Sequence, residues 1–250
     1  MRKSTQLAVI GGGPGGYTAA FHAADMGIDV TLIDKENKPG GVCLFRGCMP
    51  SKALLHVAKV LTDARAARSW GVEVGEPTVD IGRLRAWKDE VIGRLTSGLG
   101  QLTSQRDVSY LTGRAELNGA NTVRVIGRGG ETTELEFDHA ILATGSRPVW
   151  PSELVLDSDC VWDSTRAHEV TVVPRSLLVV GGGYIGLELG SVYATLGSAV
   201  TVVEKADGVL PGVDRELTTA VARRLSAICN EVLLGTKVTA LTEEGAGVRV

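Results

Sequence analysis

The 250-residue sequence predicts an α/β protein of two doubly wound, parallel-sheet domains in series, the second cut short. Three observations predict it. A short apolar run, residues 6–10, ends in Gly11-Gly12-Gly13-Pro14-Gly15-Gly16 and a small-residue helical pattern from Tyr17 to Met26, which reads as strand, tight turn and helix. The same unit recurs 170 positions on, where Leu177–Val180 lead into Gly181-Gly182-Gly183-Tyr184-Ile185-Gly186. Between the two units, Pro148, Pro151 and Pro174 punctuate a stretch poor in periodic pattern, so the boundary falls near 147 and the expected domains are 1–147 and 148–250.

Each unit carries a G-x-G-x-x-G turn. Gly11 permits the turn, Gly13 leaves room for a pyrophosphate, and Gly16 lets the helix lie close on the strand, with helix N–H groups facing the phosphates. Gly27 ends the first helix, residues 29–33 read as a buried strand, and Asp34 stands at its end, where an acid takes ribose hydroxyls. In the second unit, Gly181, Gly183, Gly186, Gly197 and Glu204 occupy the same places, 23 positions again separating first glycine from acid. Two such fingerprints imply two Rossmann-like dinucleotide sites. An acid at 204 accepts from a ribose 2′-OH and repels a 2′-phosphate, which favours NAD over NADP despite Lys205.

Between Asp34 and the next helix lies Gly40-Gly41-Val42-Cys43-Leu44-Phe45-Arg46-Gly47-Cys48-Met49-Pro50-Ser51-Lys52. Two cysteines at this spacing, set among glycines outside any regular element, can close a small ring and read as a redox-active pair, with Lys52 favouring thiolate. The alternatives are two buried thiols or half of a zinc site. Zinc wants four ligands, and Cys160, Cys229 and the four scattered histidines show no finger-like spacing.

Leu54, Leu55, Val57, Ala58, Leu61 and Ala64 predict a helix over 51–67. His56, on its Lys52 side, reads as an ordinary polar position. Residues 82–105 predict a second helix, with Leu84, Trp87, Val91, Leu95 and Leu102 as its core stripe. From Val108 to Phe137, short strands broken by Gly113, Asn118-Gly119 and Gly127–Gly130 predict a β-meander. Beyond Glu204, a helix is expected over 214–229 and short strands over 231–241, while Cys160 and Cys229 read as inert thiols. At the end, Gly247-Val248-Arg249-Val250 reads as a strand without a partner, as in a fragment of a longer protein.

Composition bounds the partners. Lys plus Arg number 26 against 29 Asp plus Glu, a net charge of −3, so no global field draws the protein to nucleic acid or an anionic membrane. No apolar run approaches membrane-spanning length, and Met1-Arg2-Lys3 runs into a strand without a signal-peptide core, so a cytoplasmic protein is expected. In that reducing setting a disulfide is catalytic rather than structural.

The run GGVCLFRGCMPSKALL resembles the redox-disulfide motif of the FAD-dependent pyridine nucleotide-disulfide oxidoreductases, and its LxxGCxPSKALL wording is nearest the branch that oxidises dihydrolipoamide. The resemblance implies a resting Cys43–Cys48 disulfide, with Cys43 as the interchange thiol and Cys48 as the thiol that contacts flavin. It places Lys52 at the flavin, paired with Glu188 of the GxxIGxE segment, and Tyr184 over the nicotinamide pocket as a gate or a packing residue. Ala140–Ser146 resembles the family's ATG motif, which sets Ala143, Thr144, Gly145 and Ser146 near FAD, together with Lys35, Gly41 and the backbone of Ala115. Val209–Asp214 matches a family turn, and Ile185 and Val238 complete the NAD-binding set. The implied function is oxidation of a dihydrolipoamide-type dithiol at the expense of NAD. In that scheme electrons pass from substrate through the cysteines and FAD. The intact enzyme is then expected as a homodimer serving a 2-oxo acid dehydrogenase complex, its His-Glu acid/base pair lying in a segment absent from this chain. The competing readings are an NADPH-dependent disulfide or mercuric reductase and a non-catalytic dinucleotide-binding redox module.

Overall fold

The computed structural model describes residues 2–250. In chain order the elements are β1 (Arg2–Ile10), α1 (Pro14–Asp25), β2 (Val30–Asp34), α2 (Gly41–Arg46), α3 (Cys48–Ala66), α4 (Ile81–Gln105), β3 (Ser109–Thr112), β4 (Arg114–Leu117), β5 (Thr122–Ile126) and β6 (Thr132–Leu142). There follow α5 (Ser164–Glu169), β7 (Ser176–Val180), α6 (Tyr184–Leu196), β8 (Ala199–Val203), α7 (Arg215–Ile228), β9 (Glu231–Leu233), β10 (Thr242–Glu244) and β11 (Gly247–Arg249). Two compact units result: residues up to Met49 with Asp89–Arg147, and Pro50–Lys88 with Pro148–Val250.

The first unit is built on a six-stranded sheet of order β3-β2-β1-β6-β5-β4. Its centre is parallel, β1 pairing with β2 and with β6, and it is buried on both faces as parallel sheets are. Leu7 and Val9 of β1 join Ala20 and Ala23 of α1 on one face, while Ala8 and Ile10 join Val123, Val125, Leu135 and Phe137 on the other. β1 starts four residues earlier than its apolar run, because β6 pairs with it from Arg2 onward and holds its polar half. The expected meander is confined to β4, β5 and β6. β3 instead joins the parallel ladder beside β2, a partner that local pattern does not encode.

The second unit has a parallel sheet of order β7-β8-β9 and a separate β10–β11 hairpin. Leu187, Tyr193, Val200, Val202, Val209 and Leu225 form its main core. A second cluster joins Leu54, Ala58 and Leu84 to Val170 and Val192.

Four expectations are corrected. The final strand does have a partner, since Gly247 pairs with Glu244 across a turn in which Gly245 has φ +59°. The strands expected to Leu241 stop at Leu233, because the following residues bond to the end of β8 instead, Thr236 N–H to Glu204 O and Gly235 N–H to Ala206 O. The cysteines do not lie outside regular structure: Cys43 is in α2 and Cys48 opens α3. The buried stripe of α4 runs through Leu84, Lys88, Ile92, Thr96 and Thr103, leaving Leu95 and Leu102 exposed. Three of these five are polar, and each is satisfied: Thr96 and Thr103 donate to the carbonyls of Ile92 and Leu99 one turn back, and Lys88 donates to the carbonyl of His168.

Candidate functional site

The two glycine turns have the same hydrogen-bond skeleton. Gly12 N–H donates to Asp34 Oδ2 at 2.5 Å and Glu36 N–H to Oδ1 at 2.8 Å. Gly182 N–H donates to Glu204 Oε2 at 2.6 Å and Ala206 N–H to Oε1 at 2.7 Å. The preceding glycines, Gly11 and Gly181, donate to the carbonyls of Ile33 and Val203. Each acid at a strand end therefore ties down its own turn, and each carboxylate oxygen keeps a second lone pair for a ligand. Glu204 is buried, and its carboxyl is held below the usual range by the Ala206 N–H first, then by those of Gly182 and Lys205, against the opposing effect of burial.

The turns have room for dinucleotides in the right places. A Cβ on Gly16 would lie 1.7 Å from the Gly11 carbonyl oxygen, so helix and turn are in direct backbone contact there. Around Gly183 and Gly15 a Cβ would meet nothing within 4 Å, and at Gly13 only Gly41 Cα at 3.8 Å. Neither α1 nor α6 has a side-chain cap, so their first N–H groups face outward for a pyrophosphate. The residues present fit the two cofactors.

The cysteine segment is docked on the first turn. Gly40 N–H donates to Gly12 O at 2.7 Å, and a Cβ on Gly41 would lie 2.5 Å from Gly13 Cα. Arg46, between the cysteines, pairs with Glu36 at 2.8 Å, fastening α2 to the turn beyond Asp34. The two cysteines are thiols here, so the disulfide expected of the resting protein is not formed in this structure. Tyr17, at the start of α1, has its phenol pushed up by burial and then by Cys43 and Cys48.

Around the turn lie the remaining expected FAD residues. Ala143 N–H donates to Ile10 O at 2.8 Å, and the Ala143 carbonyl faces Gly11 so closely that a Cβ there would stand 2.1 Å away. Thr144, Gly145 and Ser146 follow, all exposed, with Gly145 at φ +72°. Ala115 pairs with Val125 in the meander, and exposed Lys35 gives its carbonyl to Arg128 at 3.1 Å.

In the second unit, Lys52 Nζ donates to both oxygens of Glu188, at 2.7 and 3.0 Å. The lysine side chain is 54% exposed and that of Glu188 26%, so the pair is open on the lysine side. Tyr184 and Ile185 open α6 and are exposed, and Tyr184 does not pack into the core of this unit. A cavity of about 200 Å³ lies at the carboxyl ends of β7 and β8, lined among others by Gly181, Glu204, Lys205, Lys237 and Val238. This is where open parallel sheets bind nucleotides. Val238 reaches it because Thr236 and Gly235, just before it, bond to Glu204 and Ala206 past the end of β8. His56 stacks on Trp87, ring centroids 6.3 Å apart. Cys229 packs at the core edge, its thiol pushed up by burial, and Cys160 donates to Ala246 O. Sequence reasoning missed Ser51 and His168, both buried and in contact at 3.2 Å, since a serine and a histidine 117 positions apart leave no local pattern.

Two strand–glycine turn–helix units, each closed by an acid, with a paired-thiol segment seated on the first, define a dinucleotide-binding disulfide oxidoreductase. The chain belongs to the pyridine nucleotide-disulphide oxidoreductase family, whose sequence model matches residues 5–250. That family uses FAD and NAD. The chain is 44% identical over 245 residues to the dihydrolipoyl dehydrogenase of Vibrio parahaemolyticus, covering 98% of this chain and 51% of that protein. It is 44% identical over 248 residues to dihydrolipoyl dehydrogenase 2 of Haloarcula marismortui, covering 98% and 52%. Among solved structures, LpdA of Mycobacterium tuberculosis superposes with a TM-score of 0.89 at 26% identity, over 98% of this chain and 54% of that one. The copper(II) complex of the HOCl-induced flavoprotein disulfide reductase RclA of Escherichia coli gives 0.83 at 29%, over 99% and 53%. The chain thus spans about half the length of the relatives it matches. Among the described residues, no helix is long and apolar enough to cross a membrane.

Proposed function

We propose that the chain is the FAD- and NAD-binding part of an enzyme that oxidises a dihydrolipoamide-type dithiol and reduces NAD. The observation that carries the reading is the seating of the cysteine segment on the first glycine turn, Gly40 on Gly12 and Gly41 on Gly13. It puts the paired thiols beside the turn suited to the flavin dinucleotide. Gly11, Gly13, Gly16, Asp34, Lys35, Gly41, Lys52, Ala115 and residues 143–146 hold FAD in this reading, within a domain of residues 1–147. Gly181, Gly183, Tyr184, Ile185, Gly186, Glu204 and Val238 hold NAD within 148–250. When bound, FAD supplies two-electron acceptance and hydride donation, which no side chain offers.

The chain's own residues handle sulfur and charge. In the oxidised pair, a substrate thiolate attacks the Cys43 sulfur, forms a mixed disulfide and releases Cys48 as thiolate. The second substrate sulfur, as its thiolate, displaces Cys43, leaving substrate disulfide and a reduced Cys43–Cys48 pair. Cys48 and Lys52 stand one turn apart on α3, so the ammonium lies on the side of the helix where that thiolate charge forms. Glu188 orients the ammonium. Glu204 lines the cavity at the strand ends together with Lys205 and Lys237, and an acid at this strand end accepts from a ribose 2′-OH and repels a 2′-phosphate, which supports NAD over the NADPH-dependent reductase reading. A cytoplasmic location, a homodimer and service to a 2-oxo acid dehydrogenase complex belong to the same proposal.

The test is anaerobic addition of reduced lipoamide to the full-length, flavin-loaded protein. Flavin absorbance is expected to fall, and NAD to restore it. Cys43→Ser and Cys48→Ser should each abolish the fall. Flavin that stays oxidised with the wild-type protein would leave only a binding module, and reduction by NADPH faster than by NADH would favour the reductase.

A further inference from the structure

Lys52 and Glu188 meet across 136 positions, from two helices, α3 and α6, with no direct sequence link. The short helix α5 is hydrogen-bonded to both. Tyr193 of α6 donates its hydroxyl to Ala167 O at 2.9 Å. On the next residue, His168 Nε2 is 3.2 Å from Ser51 Oγ, and Ser51 immediately precedes Lys52. The proton inventory of the imidazole follows from its partners. Nδ1 is 2.6 Å from the Ser164 carbonyl, which only accepts, so Nδ1 carries the hydrogen. Nε2 of the neutral ring then accepts from the Ser51 hydroxyl. His168 and Ser51 are 4% and 3% exposed, so no solvent substitutes for either bond.

The end of α5 is held as firmly. The His168 carbonyl accepts from the buried ammonium of Lys88 at 3.0 Å. Two residues on, Val170 stops the helix at φ +49°, a strained conformation for a β-branched residue, and is wholly buried among Leu54, Leu84 and Val192. The backbone around His168 is therefore fixed from α3, α4 and α6 at once.

We propose that His168 is a positioning residue for the Lys52–Glu188 pair, acting through Ser51 to fix the turn of α3 that carries Lys52. The inference rests on the functional reading only for what the pair does, and its geometry stands apart from it. The charged groups facing the imidazole are Lys52 of α3, Lys88 of α4 and Glu188 of α6, and burial favours the neutral ring over the cation. Glu169 adjoins it on α5. A neutral acceptor thus serves Ser51 without adding a third positive charge beside the two lysines.

The test is competitive acylation of lysine amines in the full-length, flavin-loaded protein, read site by site by mass spectrometry, with Lys59 on the same helix as internal reference. His168→Leu, which fills the space without an acceptor, and Ser51→Ala should each raise Lys52 labelling several-fold and leave Lys59 unchanged. The double variant should add nothing further. His168→Gln, whose amide oxygen reaches the place of Nε2, should restore low labelling. In the wild-type protein, nitrogen NMR should show neutral His168 with the hydrogen on Nδ1 at neutral pH. Unchanged Lys52 labelling, a rise shared equally by Lys59, or the opposite tautomer would overturn the proposal. Should His168→Leu not fold, Ser51→Ala and the tautomer decide. The labelling uses no dithiol, so a wild-type protein that fails to oxidise reduced lipoamide would refute the function and leave this result standing.

Discussion

Glu204 shows how much one side chain carries. Its two oxygens accept from Gly182 and Ala206, closing the second glycine turn whatever nucleotide follows. Glu204→Gln keeps the shape but turns an NH₂ toward one of those N–H donors. Leaving a buried donor unsatisfied costs about 1–3 kcal/mol, so urea unfolding should show a loss of that size. The pH dependence has a definite sign. The folded carboxyl is held below its ordinary value of 4.5, so its contribution is complete above that pH and is lost as pH falls through the folded value. The stability gap between wild type and Glu204→Gln should therefore shrink on acidification, and a constant gap would contradict the bond to Ala206. His168 follows the same rule with the opposite charge type. Burial lowers it from 6.5, so the unfolded chain takes a proton before the folded one, and stability falls as pH drops below about 6.5. In His168→Gln this component should vanish, and melting curves from pH 7.5 to 5.5 should show the variant less acid-sensitive than wild type.

At the scale of elements, the strand–turn–helix units separate folding from ligand binding. Gly11 has φ +109°, and a Cβ there would lie 2.1 Å from Ala143 O, inside the contact that joins the β1 turn to the end of β6. Gly11→Ala should cost more than about 4 kcal/mol, in the range reserved for severe backbone strain. Gly183 has φ −76° and open space beside it, so Gly183→Ala should change stability by less than about 0.5 kcal/mol. If the nucleotide backbone approaches there, the same variant loses NADH affinity without losing stability. Tight NADH binding by Gly183→Ala would remove Gly183 from the site. These units were legible in the sequence because period and punctuation agree: an apolar strand, glycines where backbone meets backbone, and an acid at the next strand end. Legibility fails where tertiary partners decide. β3 pairs with β2 rather than β4, and α4 buries a lysine and two threonines because each finds its bond out of sequence range or one turn back. Helix α5 has six residues and no periodic face, so the residues that join α3 to α6 were invisible.

For the molecule as a whole, the sequence suggests a cut near residue 147, but the second compact unit includes residues 50–88. The reason is in its core. Val170 and Val192 are 0% and 1% exposed, and the buried side chains packed with them come from α3 and α4: Leu54, Ala58 and Leu84. Removing residues 50–88 would uncover both valines, at about 1.5–3 kcal/mol for each fully buried side chain. It would also strip Glu188 of Lys52, His168 of Ser51 and the His168 carbonyl of Lys88. The combined loss is comparable with the whole stability of an ordinary domain, about 5–15 kcal/mol. A fragment of residues 148–250 alone should therefore show no cooperative thermal transition, while the same fragment joined to 50–88 by a flexible linker should recover one. Circular dichroism melts of the two fragments give the comparison. A cooperative transition at the same temperature in both would mean that α3 and α4 contribute nothing to the second unit, against the packing of Val170 and Val192.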